Sequence, residues 1–388
     1  MAQTTLVEEW FTKGLVLLES QEYEKAIMAF EQAIKIIPQF AEAWAKKGEA
    51  LSALDRLNES ISAYDEAIKI NPSLTEAWLN KGIALNVLNR AEEAIACWEK
   101  ALASESGFSV LHRNLGRAYW KVLRDPDRSI AEYRTAIECS PNDYKLYLEL
   151  DKILQSCGRE TDRRKLIEAV PPALMANDLI VERVAACHAD AGEFDRALEI
   201  VAKTWFFPWE IYKGVRYLYV DAVIGRGIQL AKLGRNDEAI ASFREAMSYP
   251  RNIGVGESRW KTNAEAWYRI GDVQLKAGDP VAARDSWTRA ADEPRPVTDA
   301  FCYYRAMALR RLGRGAEADS ALEALLQTAQ STLEQKRGES AENHYLAGLA
   351  WKGKGDVAKA GLSFADALAA NRAHRRSRWE IDGFTSEG

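Results

Sequence analysis

The sequence predicts an all-α protein made of about ten consecutive helix pairs, and three observations carry that expectation. Trp10, Trp44 and Trp78 stand 34 residues apart, and Gly14, Gly48, Gly82 and Gly116 keep the same interval. Downstream in each unit come a small residue (Ala26, Ser60, Ala94, Ser129), an aromatic (Phe30, Tyr64, Trp98, Tyr133) and an alanine (Ala33, Ala67, Ala101, Ala136). Pro38, Pro72 and Pro141 close three of these four units. Such agreement over four units is not a chance pattern.

The residue types make mechanical sense at this spacing. Trp and Gly fall four apart on one face of a first helix, A, while the small residue, aromatic and alanine share one face of a second helix, B. Gly with Ala or Ser marks a close approach of two helix backbones, and the aromatics fill the space beside it. Proline stops helix B because it lacks an N–H and its ring clashes with the preceding turn. Acidic residues such as Glu22, Glu24, Glu92 and Glu93 fit the first turns of B helices, where the dipole favours them.

This pattern resembles the tetratricopeptide repeat. The resemblance implies a right-handed α-solenoid, a superhelix whose concave surface is lined by A helices.

Beyond residue 141 the signature weakens but the period survives. Residues 144–173 read as a degenerate fifth unit, with Gly158 in its turn and Pro171-Pro172 behind it. Later turns read glycine, four residues, alanine: Gly192 to Ala197, Gly234 to Ala239, Gly278 to Ala283, Gly313 to Ala318 and Gly355 to Ala360. Glycine suits the left-handed residue that ends helix A. Units therefore begin near residues 7, 41, 75, 109, 144, 178, 220, 264, 299 and 341.

Glycine intervals of 34, 42, 44, 35 and 42 place extra residues in three units, at Trp205 to Gly214, Arg251 to Asn263 and Gln327 to Ser340. Each lies between a helix B and the next helix A, so all three are expected to project from one edge. Composition shifts from Ile, Lys and Asn in residues 1–105 to Ala, Arg and Gly in residues 220–378. The expected organisation is a regular sub-array over 1–143, a degenerate junction over 144–215, and a second sub-array with inserted loops and a basic tail over 216–388. Phe207-Pro208-Trp209-Glu210 with Gly214, and Tyr249-Pro250 with Asn252, Gly254 and Gly256, make residues 205–378 similar to the C-terminal repeat region of large bacterial proteins. In those proteins the repeats follow a β-rich domain of uncharacterised function, so the likeness implies no activity.

Composition narrows the function. With 52 Lys plus Arg against 57 Asp plus Glu, a net charge of −5 provides no field for gathering phosphate backbones. No apolar run approaches the roughly 20 residues of a spanning helix, and the first residues have neither a basic segment nor an apolar stretch. The expectation is a cytoplasmic protein that binds neither nucleic acid nor membrane. Five scattered cysteines, none spaced C-x-x-C, read as small buried hydrophobes in a reducing compartment. None of the four histidines (His112, His188, His344, His374) has a second ligand at metal spacing. His112 and His344 take the place of Trp in other units, where packing is the simpler role. Gly254-Val255-Gly256 has neither the strand nor the following residues of a phosphate loop, and no nucleophile elbow exists. No catalytic residue, metal or cofactor is assigned.

Two surface constellations remain. In the first sub-array, positions that the family geometry directs into the groove include Lys46, Asn80, Asn86, Arg113, Asn114, Arg117 and Lys121. Asn both donates to and accepts from an extended backbone, and Arg suits a carboxylate. Some family members grip a C-terminal carboxylate with a fixed Lys/Asn/Asn/Lys/Arg set, but Phe11 and Leu15 here replace the first Lys and Asn. In the second sub-array Tyr268, Tyr303 and Tyr345 recur at one position of successive A helices, with Arg269, Tyr304 and Arg310 nearby. A polar-tipped aromatic row serves protein interfaces and sugar platforms alike, and equally suits tyrosines wedged between neighbouring helices. The tail residues Arg372, His374, Arg375, Arg376 and Arg378 read as the cationic end of a last helix. The expected function is a non-enzymatic scaffold that holds a protein or peptide segment in the groove. Recognition of a glycan or small ligand by the aromatic second sub-array is the alternative.

Overall fold

Among the described residues the chain is built of consecutive α-helices, nine pairs of which pack on each other along the sequence, and a short final helix comes after them. A computed structural model describes residues 2–104, 107–206, 213–248, 250–253, 263–292, 300–335, 340–372 and 374–383, and no strand occurs among them. The helices form two compact units, Met1–Ile153 and Leu154–Gly388.

The first unit pairs α1 (Ala2–Glu19) with α2 (Tyr23–Ile36), α3 (Ala41–Ala53) with α4 (Leu57–Ile70), α5 (Thr75–Val87) with α6 (Ala91–Ser104), and α7 (Ser109–Ala118) with α8 (Pro126–Cys139). α7 runs on into one widened π turn, Tyr119–Leu123. The repeat glycines do what their spacing predicts. A methyl group built on Gly48 would stand 2.7 Å from the Tyr64 ring, and one on Gly116 2.8 Å from Tyr133. The aromatic of helix B thus lies directly over the glycine of helix A. The small residue adds a bond, since Ser60 Oγ donates to the Gly48 carbonyl at 2.8 Å and Ser129 Oγ to that of Gly116 at 2.7 Å. Tryptophan and proline are coupled as well. Trp44 Nε1 donates to the Pro38 carbonyl at 3.0 Å and Trp78 Nε1 to that of Pro72 at 2.9 Å. Trp44 and Trp78 therefore each cap the chain leaving the preceding helix B.

α9 (Tyr144–Ser156) carries the boundary between the units. The second unit contains α10 (Glu160–Glu168), α11 (Asp178–Asp190) with α12 (Phe194–Ala202), α13 (Lys213–Lys232) with α14 (Asn236–Glu245), and α15 (Ala264–Lys276) with α16 (Pro280–Ala291). α17 (Ala300–Arg311) with α18 (Gly315–Glu334), α19 (Ser340–Gly353) with α20 (Val357–Ala370), and α21 (Arg375–Ile381) complete it. Gly158, Gly192, Gly234, Gly278, Gly313 and Gly355 all take positive φ, between 69° and 85°, at the ends of A helices. In the first unit the same turn is made by Gln21, Asp55, Asn89 and Arg124, at φ 53–60°. These side chains tolerate the left-handed region less readily.

Two of the three insertions differ from expectation. Residues 327–334 continue helix α18, because Leu322, Leu325, Leu326 and Ala329 keep one stripe buried past the usual end. α13 likewise begins at Lys213, well before residue 220, since Val215, Leu218, Tyr219 and Ala222 extend its buried stripe. The first two insertions meet: Asn252 Nδ2 donates to the Val201 and Thr204 carbonyls at 2.8 and 2.7 Å, and Phe206 N–H to the Asn252 carbonyl at 2.7 Å. Phe206 is fully buried there, whereas Trp205 is 62% exposed. Phe207, Trp209 and Trp260 lie outside the described residues. Of the cysteines, Cys97, Cys187 and Cys302 are buried, but Cys139 is exposed.

Candidate functional site

In the first unit the polar positions of helix A divide into two sets. Lys46 on α3 bonds Glu76 of the next A helix at 2.6 Å and Glu49 at 3.0 Å. Burial works against its charge, but those two carboxylates hold its pKa above the ordinary lysine value. Arg113 on α7 makes a two-pronged bond to Glu149 of α9, with Nε to Oε2 at 3.0 Å, and Tyr133 OH donates to the same oxygen at 2.7 Å. Burial would raise the Glu149 carboxyl, yet Arg113 and Tyr133 hold it below its usual value. These two cations tie neighbouring A helices together. The second set faces solvent: Asn86, Arg117 and Lys121 are exposed, and Asn80 and Asn114 are half-buried. His112 is packed as its position predicts, with Nδ1 2.7 Å from Glu132 Oε2.

The tyrosine row of the second unit is not an open wall. Tyr268 and Tyr303 are 8% exposed, and Tyr304 and Tyr345 3%. All four belong to one core cluster with Leu309, Leu322 and Phe364, and Tyr303 and Tyr304 meet edge-on at 5.1 Å. Burial drives the Tyr345 hydroxyl well above its ordinary pKa. Arg269 lies beside Tyr304, donating to its hydroxyl at 3.0 Å and from Nε to Glu265 at 2.9 Å. Arg310 is held by Asp319 at 2.6 Å and by the Gly353 carbonyl.

The A-helix face of this unit is occupied by the chain's own tail. The basic residues do not extend the last long helix. α20 ends at Ala370, and Arg375 and Arg376 open the separate helix α21. The reason is electrostatic, because carboxylates on three successive A helices are aligned to receive them. Asp190 of α11 accepts from Arg375 at 2.7 Å, and Asp221 of α13 accepts from Arg375 at 2.9 Å and from Arg376 at 2.7 Å. Glu265 of α15 accepts from Arg376 at 2.8 Å. Arg163, fully buried, closes the row on Asp190 at 2.6 Å. Burial would raise the Asp190 and Glu265 carboxyls, but Arg375 with Arg163, and Arg376 with Arg269, hold both below the ordinary range.

Apolar contact completes the docking. Trp379 is 6% exposed and packs edge-on against Phe194 at 5.7 Å, and Arg376 lies over its ring at 5.1 Å. His374 bonds Glu342 of α19 at 3.0 Å and meets the Tyr345 ring, tilted, at 5.0 Å. Glu380 bonds Lys352 of α19 at 2.6 Å, and Arg378 approaches Glu160 of α10 at 3.3 Å. A cleft of about 410 Å³ beside the tail is lined by Glu160, Arg164, Cys187 and Asp190. Sequence reasoning singled out the tail and the tyrosines but missed Asp190, Asp221 and Glu265. The available signal was three acids on helices whose other faces are apolar, set against two adjacent arginines.

Among the described residues, no group of three or more His, Cys, Asp or Glu side chains is placed to hold a metal, and no helix is long and apolar enough to cross a membrane. Family models described as TPR repeat and tetratricopeptide repeat match residues 14–55, 41–74 and 79–144. Among solved structures, MamA residues 41 to the end from Desulfovibrio magneticus RS-1 is 18% identical, with a TM-score of 0.37, covering 42% of this chain and 90% of that one. The Pseudomonas aeruginosa pilF protein is 16% identical, with a TM-score of 0.43, covering 63% and 99%. The Arabidopsis OM64 TPR domain is 22% identical, with a TM-score of 0.30, covering 31% and 99%.

Proposed function

We propose that this chain is a non-enzymatic interaction scaffold that holds protein or peptide segments against the faces of its A helices. The observation that carries this reading is the docked tail: successive A helices of the second unit grip a peptide segment through aligned side chains. In the first unit the exposed Asn86, Arg117 and Lys121 and the half-buried Asn80 and Asn114 offer the corresponding surface to a segment from outside. Asn pairs with a peptide backbone, and Arg and Lys favour an acidic one. A glycan platform needs exposed ring faces, and the tyrosines that were its candidates are buried.

Site-specific photo-crosslinking in the native host tests it. A photoreactive residue at Asn86 or Arg117 is expected to capture one discrete partner, whereas the same residue at Lys69 or Lys100, exposed on B helices, captures none. Equal capture from both faces, or capture only from the B helices, overturns the groove reading.

A further inference from the structure

We infer that the A-helix face of the second unit is a binding site for a helical partner segment carrying two adjacent arginines followed, three residues after the second, by a tryptophan, and that α21 is its intramolecular competitor. This deepens the scaffold reading and rests on it.

The geometry points to recognition and not to mere termination of the array. A helix that only ends a stack needs to cover the last pair, and α21 does lie next to α20. Yet its seven residues also reach α11, α13, α15 and α19. Its partners lie 185, 155 and 111 residues away in the sequence. The contacts are those of a ligand: paired guanidinium groups on aligned carboxylates, with one aromatic anchor in a slot. Among the described residues, the cations bonded to Asp190, Asp221 and Glu265 besides the tail's own arginines are Arg163 and Arg269. Without the tail the face carries excess negative charge, and a second basic segment is what neutralises it. Only four residues of chain separate the end of α20 at Ala370 from the start of α21 at Arg375. Such a tether gives an effective concentration on the order of millimolar. A partner segment therefore has to displace the tail, or meet the chain after the tail has been drawn away.

A fluorescein-labelled peptide with the sequence of residues 373–383 is the probe, read by fluorescence polarisation. Three full-length proteins are compared: the intact chain, Arg375→Ala/Arg376→Ala/Trp379→Ala, and that variant with Asp221→Ala and Glu265→Ala added. The open-tail variant is expected to bind the peptide at least about tenfold more tightly than the intact chain, because cis competition is removed. The added acid substitutions are expected to abolish that gain. As a control against misfolding, a protease site placed between Asn371 and His374 is cut in the folded intact chain, and excess labelled peptide is expected to exchange into the groove. An open-tail variant that keeps its helicity but binds no peptide overturns the inference. So does a cut tail that never exchanges, since α21 is then a fixed part of the fold. Concentration-dependent dimers of the intact chain that exchange tails would assign the site to a second copy and also overturn it. None of these outcomes alters the crosslinking result at Asn86 or Arg117, which tests the scaffold reading separately.

Discussion

Glu265→Ala is the most informative single substitution, because one carboxylate holds both the tail and the core arginine. Its side chain is 7% exposed, and Oε1 accepts from Arg376 Nη1 at 2.8 Å and from Arg269 Nε at 2.9 Å. Removing one member of a buried ion pair costs about 3–5 kcal/mol, since the remaining charge stays desolvated and uncompensated. Here each arginine keeps a second partner: Arg376 retains Asp221 at 2.7 Å and Arg269 retains the Tyr304 hydroxyl at 3.0 Å. The cost therefore falls at the lower end, about 3 kcal/mol. For a unit of this size each kcal/mol moves the melting midpoint by roughly 2–4 °C, so a fall of about 6–12 °C is expected. The measurement is thermal unfolding by circular dichroism at 222 nm, with Glu238→Ala as comparison. Glu238 also pairs with an arginine, Arg235, but both side chains are more than half exposed, at 57% and 53%, so that change should be much smaller. Limited trypsin digestion with intact-mass detection adds a local readout, because a loosened α21 exposes Arg375 and Arg376 to cleavage. If Glu265→Ala melts no lower than Glu238→Ala and its tail is cut no faster, the buried-pair reasoning is wrong.

Tyr303→Ala and Tyr345→Ala are each expected to destabilise the protein by about 3–5 kcal/mol, as large-to-small core changes do; a variant that melts normally in a thermal scan would mean the ring is not packed as its 3–8% exposure indicates. Gly48→Ala gains at most about 1 kcal/mol of helix propensity but sets a methyl 2.7 Å from the Tyr64 ring. Overpacking at about 1–3 kcal/mol outweighs that gain, so its urea midpoint should drop. Asp190 faces Arg163, Arg375 and Gln155, and Glu265 faces Arg269 and Arg376. Both carboxyls titrate below their unfolded values. Their stabilisation is therefore fully present above the ordinary carboxylate range near 4 and is lost as pH falls below it through the depressed values. Trypsin susceptibility of the tail should thus stay flat from pH 8 to 5 in the intact chain, and melting midpoints taken from pH 5 to 3 should fall more steeply for it than for the Asp221→Ala/Glu265→Ala variant; parallel curves would refute the assignment.

The sequence by itself determined the helix pairs, their period and the contacts inside each pair. Gly48 with Tyr64, Ser60 with the Gly48 carbonyl and the left-handed glycines from Gly158 to Gly355 are all neighbours within one repeat. Their spacing alone dictates that they meet, because helix geometry sets which residues share a face. The tertiary structure decided what each helix-A face meets. Lys46 and Arg113 stand on the expected faces, yet Glu76 and Glu149, 30 and 36 residues on, engage them. The tyrosine row was legible as a row but not as core, since periodicity reports a shared face and says nothing of what lies opposite. The sharpest case is the tail. The local acid that sequence spacing offers, Glu380 four residues after Arg376, bonds Lys352 instead. Only stacking of the units brings Asp190, Asp221 and Glu265, from three different repeats, around one short helix. Charges so far apart in sequence leave no local pattern, and their pairing is set by the rotation from one repeat to the next, which no single repeat encodes.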